Sequence, residues 1–206
     1  MTLQSSQNIT NILVGHAKLW VAPIGTTLPD DDTLAYGAAW PSGWVYAGYT
    51  KEGAKAAYSQ EKMDVEIQEA LAPVDRRVAS EEFTLETVLA EFIVTNLDLA
   101  WGGVGTVSTV AASTGVTGKD IIKAGGKATL AKKMIGLEGS YLDANGVELP
   151  VRVIVYRATA VAGGELEFVK DKITGVAFRV EGLEDMARTD GQRLFQITKV
   201  TAPATA

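Results

Sequence analysis

The hydrophobic pattern of the chain changes period once, inside the stretch Glu61 to Gly103, and that change predicts its central elements. Met63, Val65 and Ile67 alternate with Asp64, Glu66 and Gln68, so the spacing predicts a strand with one buried and one wet, acidic face. Pro73, in Ala70-Leu71-Ala72-Pro73-Val74-Asp75, cannot donate to a ladder and marks a hairpin tip or long loop. A second extended run follows from Arg76 to Leu85. The period then becomes helical: Val88, Leu89, Phe92, Ile93 and Leu97 share a face. Thr84 or Thr87 would cap this helix, and Gly102-Gly103 would end it. The predicted arrangement is a long hairpin over about 61–85 and one helix over about 87–100.

Strands predominate elsewhere. Lys18–Ala22, Trp44–Thr50, Lys133–Glu138, Leu149–Ala160, Glu165–Lys170, Ile173–Glu181 and Arg193–Val200 all read as extended, and Ala54–Gln60 as a short strand leading into the hairpin. Asp143-Ala144-Asn145-Gly146 and Gly163-Gly164 supply turns between them. In Val151 to Tyr156 both alternating sets are largely apolar, which leaves little wholly polar face. Gly102 to Gly118 holds only Gly, Val, Thr, Ser and Ala, a flexible loop or a thin, tightly apposed strand pair. The fold class is mainly β: a sandwich or barrel over residues 15–200 with one flanking helix and a long hairpin arm. Residues 1–14 form an N-terminal arm and 201–206 a polar tail.

Charge and composition narrow the function. Net charge is −6, but residues 1–103 carry 6 Lys and Arg against 14 Asp and Glu, whereas residues 104–206 carry 13 against 11. An acidic chain repels phosphate, which argues against specific DNA or RNA binding. The asymmetry suits self-association between unlike surfaces, or serves only solubility. The absence of cysteine excludes disulfides, thiolate metal sites and thiol nucleophiles, and fits a reducing cytosol. Met1 to Ser6 lack the basic region of a secretory leader, and no apolar run reaches the ~20 residues of a membrane helix.

Candidate chemistry is sparse. Ser113 to Asp120 (STGVTGKD) misses the phosphate-loop pattern at both its first glycine and its hydroxyl position. Gly103-Val104-Gly105 is followed by Ser108 where a dinucleotide loop needs glycine. His16 is the only histidine, and there is no GxSxG. Glu81 and Glu82 point to opposite faces of a strand, although a cross-strand pair such as Glu66 with Glu82 has the composition of a glycosidase pair. Asp30-Asp31-Asp32 lacks the alternating ligands of a calcium loop and reads as a solvated loop. Trp40, Trp44, Tyr46 and Tyr49 make either a core cluster or a flat carbohydrate platform. No catalytic residue, metal site or cofactor is expected.

The run Leu13-Val14-Gly15-His16-Ala17-Lys18-Leu19-Trp20-Val21-Ala22-Pro23-Ile24-Gly25 resembles the opening of tail tube proteins of long-tailed bacteriophages. Trp44 to Gly53 (WVYAGYTKEG) and Leu71-Ala72-Pro73-Val74-Asp75-Arg76-Arg77 fit the same family, as does the order hairpin, helix, strands. The resemblance covers residues 13–103; the remainder matches only as β structure. It implies a β-sandwich subunit, similar to the tube protein of type VI secretion, that closes into six-membered rings stacked as a virion tail tube and assembled in the host cytoplasm. DNA would pass through the lumen without specific binding. Terminator, tape-measure and distal tail proteins would be its partners, with no membrane involved. On this reading Asp64, Glu66, Gln68 and Glu82 face the lumen, and Leu71, Pro73, Val74, Asp75, Arg76 and Arg77 touch a neighbouring subunit. The competing reading is a carbohydrate-binding or virion decoration module built on the Trp40/Trp44 cluster.

Overall fold

A computed structural model describes residues 17–161 and 175–202. The expected N-terminal arm, His16, the strand Glu165–Lys170, the Gly163-Gly164 turn and the last four residues of the tail lie outside the described residues. The elements are β1 (Lys18–Pro23), β2 (Val45–Tyr46), β3 (Thr50–Val65), β4 (Asp75–Leu89), α1 (Val94–Ala100), β5 (Gly105–Val110), β6 (Lys119–Ala124), β7 (Lys133–Leu142), β8 (Glu148–Ala160), β9 (Val176–Gly182) and β10 (Phe195–Lys199). Eight strands form one antiparallel sheet in the order β2-β1-β7-β8-β9-β4-β3. The thirteen-residue β8 is its hub. It pairs along one edge with β7, and divides the other between β10 (Val151–Val155) and β9 (Ala158–Ala160).

The sheet begins and ends on neighbouring pieces of chain. Ala47 N–H donates to the Leu19 carbonyl at 2.9 Å, and Ala90 N–H donates to the Tyr49 carbonyl at 2.8 Å. Residues 45–50 thus bind β1 at one end and the close of β4 at the other, which curls the sheet around its core. Alternation sorts the side chains. Leu19, Leu85, Leu89, Ile135, Leu137, Val155 and Phe178 line the inside. Trp20, Ala22, Met134, Ile154 and Tyr156 face outward, where Trp40 and Trp44 from the loop after β1 cover them. Strand β8 is therefore buried on both faces, the reason its sequence has no polar side.

Under the same loop lies a buried ion cluster. Arg152 is 1% exposed and Glu138 is fully buried. Arg152 Nε and Nη2 donate to Glu138 Oε1 at 3.2 and 3.1 Å, Nη1 to Asp31 Oδ1 at 2.7 Å, and Nη2 to the Leu34 carbonyl at 2.6 Å. Gly37 N–H donates to Glu138 Oε2 at 3.3 Å. The expectation of a wholly solvated aspartate triplet is thus corrected at Asp31: it answers a guanidinium 121 residues away.

The helix is shorter than its period predicts. Thr84 to Leu89 belong to β4, where Thr87, Val88 and Leu89 pair with Phe178, Ala177 and Val176. Thr87 Oγ1 donates to the Gly53 carbonyl at 2.6 Å instead of capping a helix. A short apolar run is compatible with either period, and pairing with β9 decides it in favour of the β-branched preference. Helix α1 begins only at Val94, with Ile93 at its N-cap and no side-chain cap. Its end is as expected: Gly102 and Gly103, at φ 83° and 64°, return their N–H groups to Leu99 and Asp98. Buried Asn96 donates to the Ala47 carbonyl at 2.7 Å, fastening the helix to the link that joins the ends of the sheet.

Candidate functional site

The hairpin of β3 and β4 is longer than expected, running from Thr50 paired with Leu89 to Val65 paired with Asp75. Its lower part belongs to the body, because β4 pairs with β9 between Thr84 and Leu89. Beyond Phe83 it stands free. Val65 and Ala70 are half-buried, and every other residue from 60 to 82 is exposed. The Met63/Val65/Ile67 face, expected in the core, is largely in water: Met63 is 56% and Ile67 47% exposed. A two-stranded ribbon with both faces solvated is marginal without a third partner. The outer edge of β3 also carries no strand among the described residues, which leaves sixteen residues of backbone available for pairing.

Pairing register corrects the predicted grouping of acids. Glu61 opposes Ser80 while Lys62 opposes Val78, so Ala79 is the extra residue of a β-bulge. Asp64 opposes Arg76, and Glu82 opposes Ser59, an odd number of residues from Asp64 along β3. Asp64 and Glu82 therefore lie on opposite faces. Glu66 and Gln68 are not on a strand, since β3 ends at Val65 and both fall in the connection to β4. Glu66 and Glu82 stand about 23 Å apart along the arm, at 3.3 Å per residue, which removes them as a pair of glycosidase acids.

The charged tip closes on itself. Arg76 grips Asp64 with two hydrogen bonds, Nε to Oδ1 at 2.5 Å and Nη2 to Oδ2 at 3.0 Å. That hydrogen bonding holds the Asp64 carboxyl below its ordinary pKa and raises that of Arg76. Arg77 Nε meets Asp75 Oδ2 at 3.2 Å. Both arginines thus have partners within their own arm. The apolar residues do not: Leu71 is fully exposed, Val74 is 51% exposed, and Pro73 between them is exposed. On the outer face of the body, Arg179 is ringed by Glu86, Glu181 and Glu82 at 3.4, 3.6 and 3.9 Å. These side chains are about half exposed and share one face of β4 and β9.

The small-residue stretch Gly102 to Gly118 supplies one strand, β5, and the turn after it, while the partner strand β6 lies beyond the stretch. Strands β5 and β6 pair from Gly105 opposite Ala124 to Val110 opposite Lys119, joined by a tight bridge between Ser113 and Val116. Asp98 of α1 accepts the Gly105 N–H at 2.7 Å, and Ile122 packs on the core, which together fix the root of this second hairpin.

The tryptophans of the aromatic cluster are core, and its tyrosines are not. Trp20 and Trp40 stack with centroids 5.3 Å apart, Trp44 meets Trp40 edge-on at 4.8 Å, and Trp44 Nε1 donates to the Thr27 carbonyl. Trp40 and Trp44 are buried, so they cannot present a sugar-binding platform; Tyr46 and Tyr49 are exposed. Among the described residues no group of three or more histidine, aspartate or glutamate side chains is placed to hold a metal ion.

Sequence reasoning missed Arg152, Glu138 and the long reach of the hairpin into the body. The signal for Arg152 was present: a guanidinium in the middle of an otherwise apolar strand requires a buried acceptor.

No curated protein matches this chain. A family model described as phage tail tube protein matches residues 1–204, nearly its whole length. The chain therefore belongs to the phage tail tube protein family, a structural component of the virion tail that assembles with copies of itself.

Proposed function

We propose that six copies close into a ring, that rings stack head to tail, and that DNA leaves the capsid through the resulting lumen. The observation that carries this reading is the arm: a solvated ribbon with exposed Leu71 and Val74 and a free β3 edge. Such an edge is stabilised when a neighbouring subunit pairs with it, and ring closure leaves no edge unpaired. Stacking is heterologous, so the tube extends until other tail proteins stop it. Terminator, tape-measure and distal tail proteins would occupy its ends and interior, with assembly in the host cytoplasm.

The lumen face we favour is the exposed one bearing Glu82, Glu86 and Glu181 around Arg179, an acidic excess that keeps phosphate from adhering. Asp64 lies on the opposite face of the arm, bound to Arg76, while Glu66 and Gln68 in the tip join Leu71, Pro73, Val74, Asp75, Arg76 and Arg77 as the contact with an adjacent subunit. Negative-stain imaging and native mass measurement of the purified protein test this reading. Rods built from six-membered rings are expected. A stable monomer at high concentration, even with nucleating tail proteins supplied, would overturn it.

A further inference from the structure

The two hairpins of this chain carry opposite charge. Residues 61–82 of the β3–β4 arm hold seven Asp and Glu against three Lys and Arg, a net of −4. Two of those carboxylates are already answered within the arm, Asp64 by Arg76 and Asp75 by Arg77. Glu61 and Glu81 accept only neutral hydrogen bonds, from Ser80 and Gln60. Glu66 and Glu69, in the tip connection, have no hydrogen-bond or ion-pair partner among the described residues and are exposed. Half of the surplus, Glu66 and Glu69, therefore sits in the tip connection.

Residues 104–133, the β5–β6 hairpin and the segment after it, hold five lysines against one aspartate, a net of +4. Register sorts these as well. Lys119, Ile121 and Lys123 share one face of β6, opposite Val110, Ser108 and Thr106. The single acid, Asp120, lies on the other face, bound to Thr109 Oγ1 at 2.7 Å. Lys119, Lys123 and Lys132 are exposed and have no acidic partner among the described residues.

The fold keeps these two surfaces apart within one subunit. Hairpin β5–β6 is rooted on α1 through Asp98, just beyond Leu89 at the base of β4. The arm leaves from the other end of β4, and the fourteen steps from Leu89 to Asp75 span about 46 Å. Even after subtracting the roughly 17 Å that β6 spans from its root to Lys119, the separation is more than three Debye lengths at physiological salt, so neither surface neutralises the other in its own chain.

We infer that the acidic tip of the β3–β4 arm docks on the lysine face of the β5–β6 hairpin of a second copy, with Glu66 and Glu69 meeting Lys119 and Lys123. This rests on the tube reading above and names the two surfaces that meet. Complementary surfaces at opposite ends of one subunit give a head-to-tail contact that repeats indefinitely, and like ends repel, which sets the polarity of the stack.

Two measurements test it. Equal amounts of normal and heavy-isotope protein are assembled and treated with a carbodiimide, which joins a carboxylate to an amine only at contact. Mixed-isotope peptides linking Glu66 or Glu69 to Lys119 or Lys123 are expected. In parallel, Glu66→Lys/Glu69→Lys or Lys119→Glu/Lys123→Glu should each raise the critical concentration for tube formation about tenfold or more at low salt. The two reversals combined in one chain should return it close to the starting value. Tubes that form normally from either reversed variant would overturn the inference and leave the tube reading intact. Loss in both without recovery in the combined chain would also overturn it. Failure of the unaltered protein to form rings or tubes under any condition would instead remove the tube reading, and the inference with it.

Discussion

Replacing Arg152 with methionine should be among the most damaging single changes in the body of this protein. The guanidinium cannot shed its charge, and it satisfies Glu138 Oε1 twice, Asp31 once and the Leu34 carbonyl once while only 1% exposed. Methionine fills most of the volume but leaves Glu138 fully buried, with Gly37 N–H as its remaining donor. Breaking a buried pair from one side costs about 3–5 kcal/mol, because an uncompensated charge stays behind. Against a typical total of about 5–15 kcal/mol, that is a large share. For a chain of this size it lowers Tm by about 6–20 °C. The double variant Arg152→Met/Glu138→Leu removes both charges and should regain about 1–3 kcal/mol over the single change. Urea and thermal unfolding of unassembled protein, followed by circular dichroism, give both numbers. Limited proteolysis within residues 30–37 should accelerate in the single variant, since Asp31, Leu34 and Gly37 lose their anchor. A loss below about 1 kcal/mol for Arg152→Met, or a double variant no more stable than the single, would refute the assignment of this cluster as the clasp that holds the loop over the sheet.

Three further outcomes are expected. Gly136→Ala would place a methyl group inside the Trp40 ring, and should cost about 1–3 kcal/mol with a changed near-ultraviolet spectrum from the Trp20/Trp40 stack. Leu71→Ser should leave unfolding of the unassembled protein within about 0.5 kcal/mol, because the side chain touches nothing in its own subunit, while weakening tube formation in a sedimentation assay. The Asp64 carboxyl is held below its ordinary value of 3.8 by Arg76, so the bridge contributes fully above that value and is lost as pH falls below it. Titration by nuclear magnetic resonance should show Asp64 titrating below 3.8 in the intact protein and returning toward it in Arg76→Gln.

Much of the fold was written in local pattern. Strand β8 is legible because Val151, Val153 and Val155 and their alternates Ile154 and Tyr156 are all apolar, and the structure buries Ile154, Val155 and Tyr156 and half-buries Val151 and Val153. The turn at Asp143 to Gly146 and the glycine stop after α1 follow from residues that tolerate positive φ. What local pattern could not supply is pairing. Thr87, Val88 and Leu89 fit a helix until Val176 to Phe178, nearly ninety residues on, claim them as a strand. Asp64 and Glu82 fit one face until the unpaired Ala79 shifts the register between them. Asp31 looked solvated because its partner is 121 residues away. The family, by contrast, was legible from continuous stretches such as Trp44 to Gly53, since resemblance needs no register.

The curled sheet also orders events in time during translation. Strand β1 ends at Pro23, and its main partner β7 begins at Lys133, so at about 5–20 residues per second a ribosome needs roughly 5–20 s to supply it. The β3–β4 hairpin needs only its own forty residues and closes within microseconds of emerging. Each nascent chain therefore samples the paired arm, with its bare strand edge, before β9 is made to hold the base of β4. On a polysome many such edges travel close together. The first 103 residues carry an excess of eight negative charges, and mutual repulsion between nascent chains protects those edges until β7 is made. The later, slightly basic half then arrives to complete the sheet, and with it the surface that lets finished subunits attract one another.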